Sequence, residues 1–269
     1  MTYTSPIRRK DTAKGHYYVD AEQRRVPGVT TIQDGGLPKK ALINWAGNTT
    51  AAYAIDHWDE LAALSPAARL KRLQGCRYEE KDAAAKRGTE VHYYAERLVQ
   101  GKAVKVPEEL VGHVESYVRF LDEWQVQPVL VEFSVASPKY GYAGSGDLIA
   151  DLAAPDDGEA ARWLLDIKTT RSGIFGETAL QLAAYRYAEH LVDTTGVVGP
   201  LPEVQRTGAV WVRADGYSLH PVAAGPDEHR AFLYVQQVAD FDKDSRDLIG
   251  PEMRPPTIST YRLTREEQP

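Results

Sequence analysis

The chain has 269 residues, a formal net charge of −6 and a single cysteine, Cys76. That length supports one sizeable core, read here as a single domain over 1–269, and no internal repeat, bilayer-length apolar run or signal-peptide core is visible; the expectation is a cytoplasmic protein with no membrane attachment. One cysteine excludes an internal disulfide and a four-cysteine cluster, and the negative balance argues against indiscriminate coating of a polyanion. Residues 1–40 nevertheless hold eight Lys or Arg against four acids, so that segment is +4 and the remainder −10. Such a distribution favours a polyanion threaded past a basic entrance.

In chain order, residues 1–14 are polar and basic without a period and read as a mobile arm, and an N-terminal hairpin with helical additions is expected over 15–127. Gly15–Asp20 and Arg25–Ile32 flank a polar turn and predict the hairpin, with Pro27 marking an edge and His16 an exposed strand residue. Pro38 opens a helix to Trp58 with Leu42, Trp45, Ala46 and Ala52 on its apolar stripe. A short helix Pro66–Gln74 follows, capped by Ser65, and Cys76 packs nearby as a small apolar group. A further helix, Glu79–Gln100, buries Val91, Tyr94, Ala95, Leu98 and Val99 and ends at Gly101; His92 lies beside that stripe. Gly88 inside it costs about 1 kcal/mol against Ala, which suggests close approach of another element or of a phosphate. Pro107 starts a helix to about Trp124, and Val129, Val131, Phe133 and Val135 then alternate along a strand with Glu132 on the opposite face.

The centre of the chain carries the chemistry, in a core read over 128–243. Asp147–Leu152 and Arg162–Lys168 read as strands joined by the turn-rich Ala154–Gly158, an antiparallel hairpin that brings Asp147 near Asp166. Trp163, Leu165 and Ile167 alternate with Leu164, Asp166 and Lys168, so Asp166 and Lys168 share a face. After the glycines at 173 and 176, Leu180, Ala183, Ala184, Tyr187 and Leu191 recur at helical spacing and leave Gln181 and Tyr185 one turn apart. Two carboxylates on neighbouring strands suit a hard divalent cation, and a lysine beside them can orient water or stabilise phosphoryl charge. Thr207–Ala214 and Tyr217–Val222 then form a hairpin around Asp215-Gly216, with the first strand parallel to Arg162–Lys168, and Asp227–Asp242 a helix. The tail, 244–269, is polar with several prolines and shows no chemistry.

Gly146-Asp147, Asp166-Ile167-Lys168 and Gln181-x-x-x-Tyr185 together resemble the PD-(D/E)XK nuclease superfamily, in its RecB-like and phage-exonuclease branch. Val26-Pro-Gly-Val-Thr-Thr31 and Leu42-Ile-Asn-Trp45-Ala46 are similar to the N-terminal part of phage exonucleases, so the resemblance runs over roughly residues 15 to 192. It implies an α/β fold, a mixed central β-sheet flanked by helices with a restriction-endonuclease-like core. It also implies a DNA exonuclease of phage-type recombination or processing, using one or two Mg²⁺ or Mn²⁺ ions and no iron-sulfur cluster. Asp147, Asp166, the backbone carbonyl of Ile167 and His92 would hold metal, with Glu132 a further candidate. Lys168 would position water, Gln181 and Tyr185 would hold water, phosphate or the terminal nucleotide, and Lys86, Arg87, Thr169 and Thr170 would contact DNA. The branch leaves room for a homo-oligomer and for a single-strand annealing or recombination partner. The competing readings are a nuclease-fold DNA-binding or assembly protein without turnover, and a module whose acids hold a structural Ca²⁺; the latter gives no reason for Lys168 to face the acids.

Overall fold

The computed structural model describes residues 7–253 other than 14, 39, 100, 103, 154–158 and 171. It begins with β1 (Arg8–Thr12), β2 (Gly15–Val19) and β3 (Arg25–Val26), an antiparallel sheet in that order. Residues 8–12 are therefore not a mobile arm: they pair with β2 from Arg8 opposite Val19 to Thr12 opposite Gly15. The preceding Ile7 is buried with Tyr18, Ala136 and Ala143, and Arg9 donates from its amide to the carbonyl of Asp193 (2.9 Å) and from its guanidinium to Ser134 Oγ (3.1 Å); together these dock a polar edge strand. The rest of the arm, 1–6 and Lys14, lies outside the described residues.

The predicted strand Arg25–Ile32 is also corrected, because Pro27 ends β3 and α1 (Val29–Gly36) follows. Val29 and Ile32 are both buried, a helical spacing that tertiary packing favours over the strand propensity of Val-Thr-Thr-Ile. Next come α2 (Lys40–Asp56), α3 (Trp58–Ala63) and α4 (Pro66–Val99). The two helices predicted at 66–74 and 79–100 are one helix of 34 residues. Gly75 only weakens a helix whose neighbours are strong helix formers, and Cys76 is buried within it, with its thiol donating to the carbonyl of Leu73. Gln100 is outside the described residues.

A 3-10 turn (Glu108–Leu110) leads into α5 (Val111–Glu123), followed by β4 (Gln127–Ser137), β5 (Tyr142–Leu152), β6 (Ala161–Lys168) and α6 (Glu177–Arg186). Then come β7 (His190–Val192), β8 (Val197–Pro200), β9 (Arg206–Arg213), β10 (Gly216–Pro221), α7 (Pro226–Asp244) and a 3-10 turn at Ser245–Leu248. The main sheet has seven strands in the order β10-β9-β6-β5-β4-β7-β8. It is mixed: β6 and β9 are parallel, as predicted from the helical crossover between them, and the other pairs are antiparallel. The fold is α/β, a mixed sheet flanked by helices. The turn Ala154–Gly158 and residues 254–269 of the tail lie outside the described residues.

Each sheet face has its own core. On one, Val29 and Ile32 of α1, Leu182 of α6 and Phe232 of α7 cover Val135, Ile149 and Leu164. On the other, Ala95 of α4 and Tyr117 and Phe120 of α5 cover Leu148, Leu165 and Ile167. The alternation of Leu164 with Leu165 and Ile167 thus follows the predicted strand period. The predicted helix through Leu191 instead ends at Arg186, because Leu191 pairs with Val135 as part of β7 and Val192 is buried against the N-terminal sheet.

Two contacts in the α7 layer make predictions. A Cβ at Gly36 would lie 2.2 Å from the backbone oxygen of Val235, so α1 and α7 meet where no side chain fits. Gly36→Ala is expected to lower unfolding stability by about 1–3 kcal/mol, read from the urea midpoint; an unchanged midpoint would mean that α1 does not seat on α7 this closely. His229 of α7 is buried, stacked on Tyr187, with Nε2 3.1 Å from the Tyr142 hydroxyl. That hydroxyl donates to the carbonyl of Ala184 (2.8 Å), so Nε2 carries the proton that bonds the Tyr142 oxygen. Burial holds the His229 pKa below 6.5, with Lys139 acting the same way and Glu189 opposing. The unfolded chain therefore takes up a proton that the folded chain resists. The contribution of His229 is complete above the unfolded value and is lost as pH falls through it toward the folded one. Between pH 7.5 and 5.5, wild-type protein should lose more stability than His229→Phe; parallel curves would count against a buried neutral imidazole.

Candidate active site

Strands β5 and β6 pair from Leu152 opposite Ala161 to Leu148 opposite Leu165, and there the ladder stops. Beyond it, Asp166, Ile167 and Lys168 pair with β9, whereas the first half of β5 pairs with β4. The freed edge of β5 is taken by the segment leading into α1: the Ala143 amide donates to the carbonyl of Pro27 at 3.1 Å, and Gly28 forms a parallel bridge with Ala143. That segment is a wedge. It holds the two strands apart as a V, with Asp147 and Asp166 at the apex, one arm running back along β5 and the other forward through Lys168.

Parting the strands strips Ile167 of a neighbour on the β5 side, and side chains supply the missing partners. The Ile167 amide donates to Asp147 Oδ2 (2.6 Å), and His92 Nε2 of α4 donates to the Ile167 carbonyl (3.0 Å). His92 Nδ1 then faces Asp147 Oδ1 at 3.6 Å and Glu132 Oε1 at 3.8 Å. Ligand atoms of His92, Glu132 and Asp147 all lie within 4.8 Å of one another. From α6, the Gln181 amide donates to Asp166 Oδ1 (2.8 Å) and to the Tyr185 oxygen (3.2 Å), while its own oxygen accepts from Lys168 Nζ (3.2 Å). Lys168 Nζ is also 2.9 Å from Asp166 Oδ2. That contact is an ion pair, and no other donor among the described residues reaches the buried Asp166 Oδ2.

Glu132 reaches this group through an unusual backbone. Its φ is +49°, in the left-handed region that costs a side-chain-bearing residue about 1–2 kcal/mol. A register shift between Pro128 and Leu130 and this kink together break the predicted alternation of β4. Leu130 and Phe133 pack with the α6 face and Val131 with the α5 face, so Glu132 does not simply oppose a row of valines. Glycine also shapes the arms. A Cβ on Gly144 would sit 2.5 Å from the Tyr185 ring, and one on Gly88 3.3 Å from Thr169 Oγ1. The close approach expected at Gly88 is thus between α4 and the end of β6.

The electrostatics are those of acids crowded out of water. Burial raises the pKa of both Asp147 and Asp166, and each raises it further through repulsion from a neighbouring carboxylate. Burial would lower Lys168, but Asp166 and Asp147 outweigh it and hold the ammonium above the ordinary lysine value. Burial likewise opposes the charged form of His92, yet Asp147, Glu132 and Asp166 raise it to about 9. Tyr185 is pushed well up by burial and stays a neutral phenol.

These groups line one cavity of about 970 Å³. Lys86 is exposed, 3.9 Å from Glu90, and the side chain of Arg87 lies outside the described residues. Thr169 and Thr170 line the cavity, but the Thr170 hydroxyl is engaged by the Gly173 carbonyl at 2.7 Å. The structure adds residues that the sequence reading left aside. His16, read as an exposed strand residue, lines the cavity with Nε2 3.0 Å from Ser145 Oγ. Ser145 meets the Tyr18 hydroxyl at 2.7 Å and Ser134 Oγ at 3.1 Å, which ties the N-terminal sheet to β4 and β5. The signal for Ser145 was its place two residues before Asp147; His16 carried none, because its partner lies 129 positions away.

No protein-family model and no curated protein matches the chain. Among solved structures, one described as the crystal structure of SSO0001 aligns with a TM-score of 0.28 and 14% identity over 54% of this chain. The alignment spans 63% of that protein's length. Among the described residues, no helix is long and apolar enough to cross a membrane.

Proposed function

We propose that the chain is a metal-dependent deoxyribonuclease of the PD-(D/E)XK kind, its sheet a restriction-endonuclease-like core, acting as an exonuclease in phage-type DNA processing. The observation that carries this reading is the apex of the V, where Asp147, Asp166 and Lys168 converge and Gln181 bridges Asp166 to Lys168. The donor set fits a hard divalent cation. Asp166 Oδ2 is buried and, among the described residues, has only the Lys168 ammonium beside it, and Asp147 and Glu132 present further carboxylate oxygens beside His92. Asp147 and Asp166 would hold Mg²⁺ or Mn²⁺ with His92 and Glu132 alongside, and an imidazole ligand makes Mn²⁺ the stronger competitor. The ion would supply Lewis-acid neutralisation of phosphoryl charge and acidify water.

The chain's own groups do the rest. Asp166 and Gln181 hold the Lys168 ammonium charged and aimed into the cleft, where it orients the attacking water and stabilises negative charge developing on phosphorus oxygens. Gln181, fixed between Asp166, Lys168 and Tyr185, keeps these groups in register. The deciding experiment is nucleotide release from end-labelled linear duplex DNA with and without Mg²⁺ or Mn²⁺, with closed circular DNA in parallel. Metal-dependent loss of linear DNA is expected while circular DNA survives. Metal binding without cleavage of any linear or single-stranded DNA would replace the proposal with a non-cleaving DNA-binding or assembly protein.

A further inference from the structure

The two arms of the V carry different chemistry at equal distance from the apex. On β6, Lys168 stands two residues beyond Asp166; on β5, Ser145 stands two residues before Asp147 and holds His16. Two residues of strand are about 6.6 Å, so Lys168 and Ser145 stand at the same level on the two arms. In-line displacement puts the attacking and departing oxygens on opposite sides of phosphorus. With Lys168 orienting water on one arm, the departing oxygen faces the other.

We propose that His16 is the general acid that protonates the leaving oxygen, and that Ser145 is the positioning residue that aims it. The inference rests on the nuclease reading. The P–O3′ bond breaks with its electron pair passing to the 3′ oxygen, which takes a proton from the imidazolium of His16. The entering water supplies the new P–O bond and loses its proton to solvent, and His16 is reprotonated from solvent. Nε2 is engaged by Ser145, so Nδ1 is the nitrogen left to deliver the proton. The ring is held by Ser145 and by the edge of Tyr18, 5.4 Å between centroids, and the β1–β2 register places His16 opposite Asp11. Burial and Arg9 hold the His16 pKa below its ordinary value, Asp11 and Glu132 oppose them, and an arriving phosphodiester anion adds to the side that favours the imidazolium.

The test compares the full-length wild type, His16→Ala and His16→Gln on two linear duplexes. One has ordinary terminal linkages; the other carries a 3′-bridging phosphorothiolate at the terminal linkages of both strands, where the sulfur departs without needing a proton. Both variants are expected to cleave the ordinary duplex about 10²-fold or more slowly. On the sulfur-bridged duplex they should stay within about threefold of wild type, because the proton no longer matters. His16→Gln keeps a hydrogen bond to Ser145 and carries the test if His16→Ala does not fold. Equal slowing on both duplexes, or none on the ordinary one, overturns the role of His16 and leaves the nuclease reading intact. No cleavage of either duplex by the wild type with Mg²⁺ or Mn²⁺ overturns both.

Discussion

Lys168→Ala should lower metal-dependent hydrolysis of linear duplex DNA by about 10²–10³-fold, the usual cost of removing one preorganised charge from a transition state. The ammonium is fixed by Asp166 Oδ2 at 2.9 Å and by Gln181 at 3.2 Å, so it pays little reorganisation as charge develops. In the metal-free site Asp166 and Asp147, against burial, hold its pKa above the ordinary lysine value, which favours orientation and charge stabilisation over a role as base. Removing it leaves the buried Asp166 beside the Asp147 carboxylate with His92 as its remaining cation, and that carboxyl will then shift further toward its protonated form. Lys168→Gln, which restores a donor of similar reach, separates loss of charge from loss of fold. The readout is the single-turnover rate at saturating Mn²⁺, with the urea midpoint measured alongside. Equal rates in Lys168→Ala and wild type would remove Lys168 from the reaction.

Glu132→Gly should act in opposite directions on stability and on metal affinity. The left-handed backbone at φ +49° is costly for glutamate and free for glycine, and the change removes a charge that repels Asp147 but also steadies the His92 imidazolium, two effects that offset each other. After the entropic cost of glycine, the metal-free protein is expected to gain about 1 kcal/mol. Mn²⁺ affinity should fall about 10- to 100-fold with the loss of a carboxylate beside His92. Glu132→Ala is the control: it loses the same carboxylate and keeps the backbone strain, so it should lose affinity without the same gain in stability. Calorimetric titration with Mn²⁺ and urea unfolding of the metal-free protein read the two effects. A glycine variant less stable than the alanine variant would show that the kink is unstrained.

The elements that carry the apex were legible because local pattern and tertiary role agree in them. The two-residue period of Arg162–Lys168 and the helical spacing of Gln181 with Tyr185 needed no knowledge of distant partners. The elements misread are those in which a distant contact decides. Val29–Gly36 is a helix because Val29 and Ile32 face the α6 and α7 layer, and Leu191 lies in a strand because Val135 is beside it. Arg8–Thr12 is ordered by a partner strand and by the pocket around Ile7. The kink at Glu132 was hidden for another reason: nothing in Val-Leu-Val-Glu-Phe marks a left-handed residue, and the wedge at Pro27–Gly28 becomes visible once Ala143 is beside it.

Because Asp147 accepts the Ile167 amide at 2.6 Å and His92 donates to the Ile167 carbonyl, the two side chains stand where a neighbouring strand would otherwise continue the sheet. On the nuclease reading, a descendant that lost activity through Asp147 would also lose an acceptor for a buried amide. Asparagine preserves that acceptor and alanine does not, so relaxed selection on the chemistry should leave asparagine at this position more often than smaller residues. The Ile167 amide is also a natural spectroscopic probe, since its resonance and its rate of deuterium uptake follow the state of Asp147 directly.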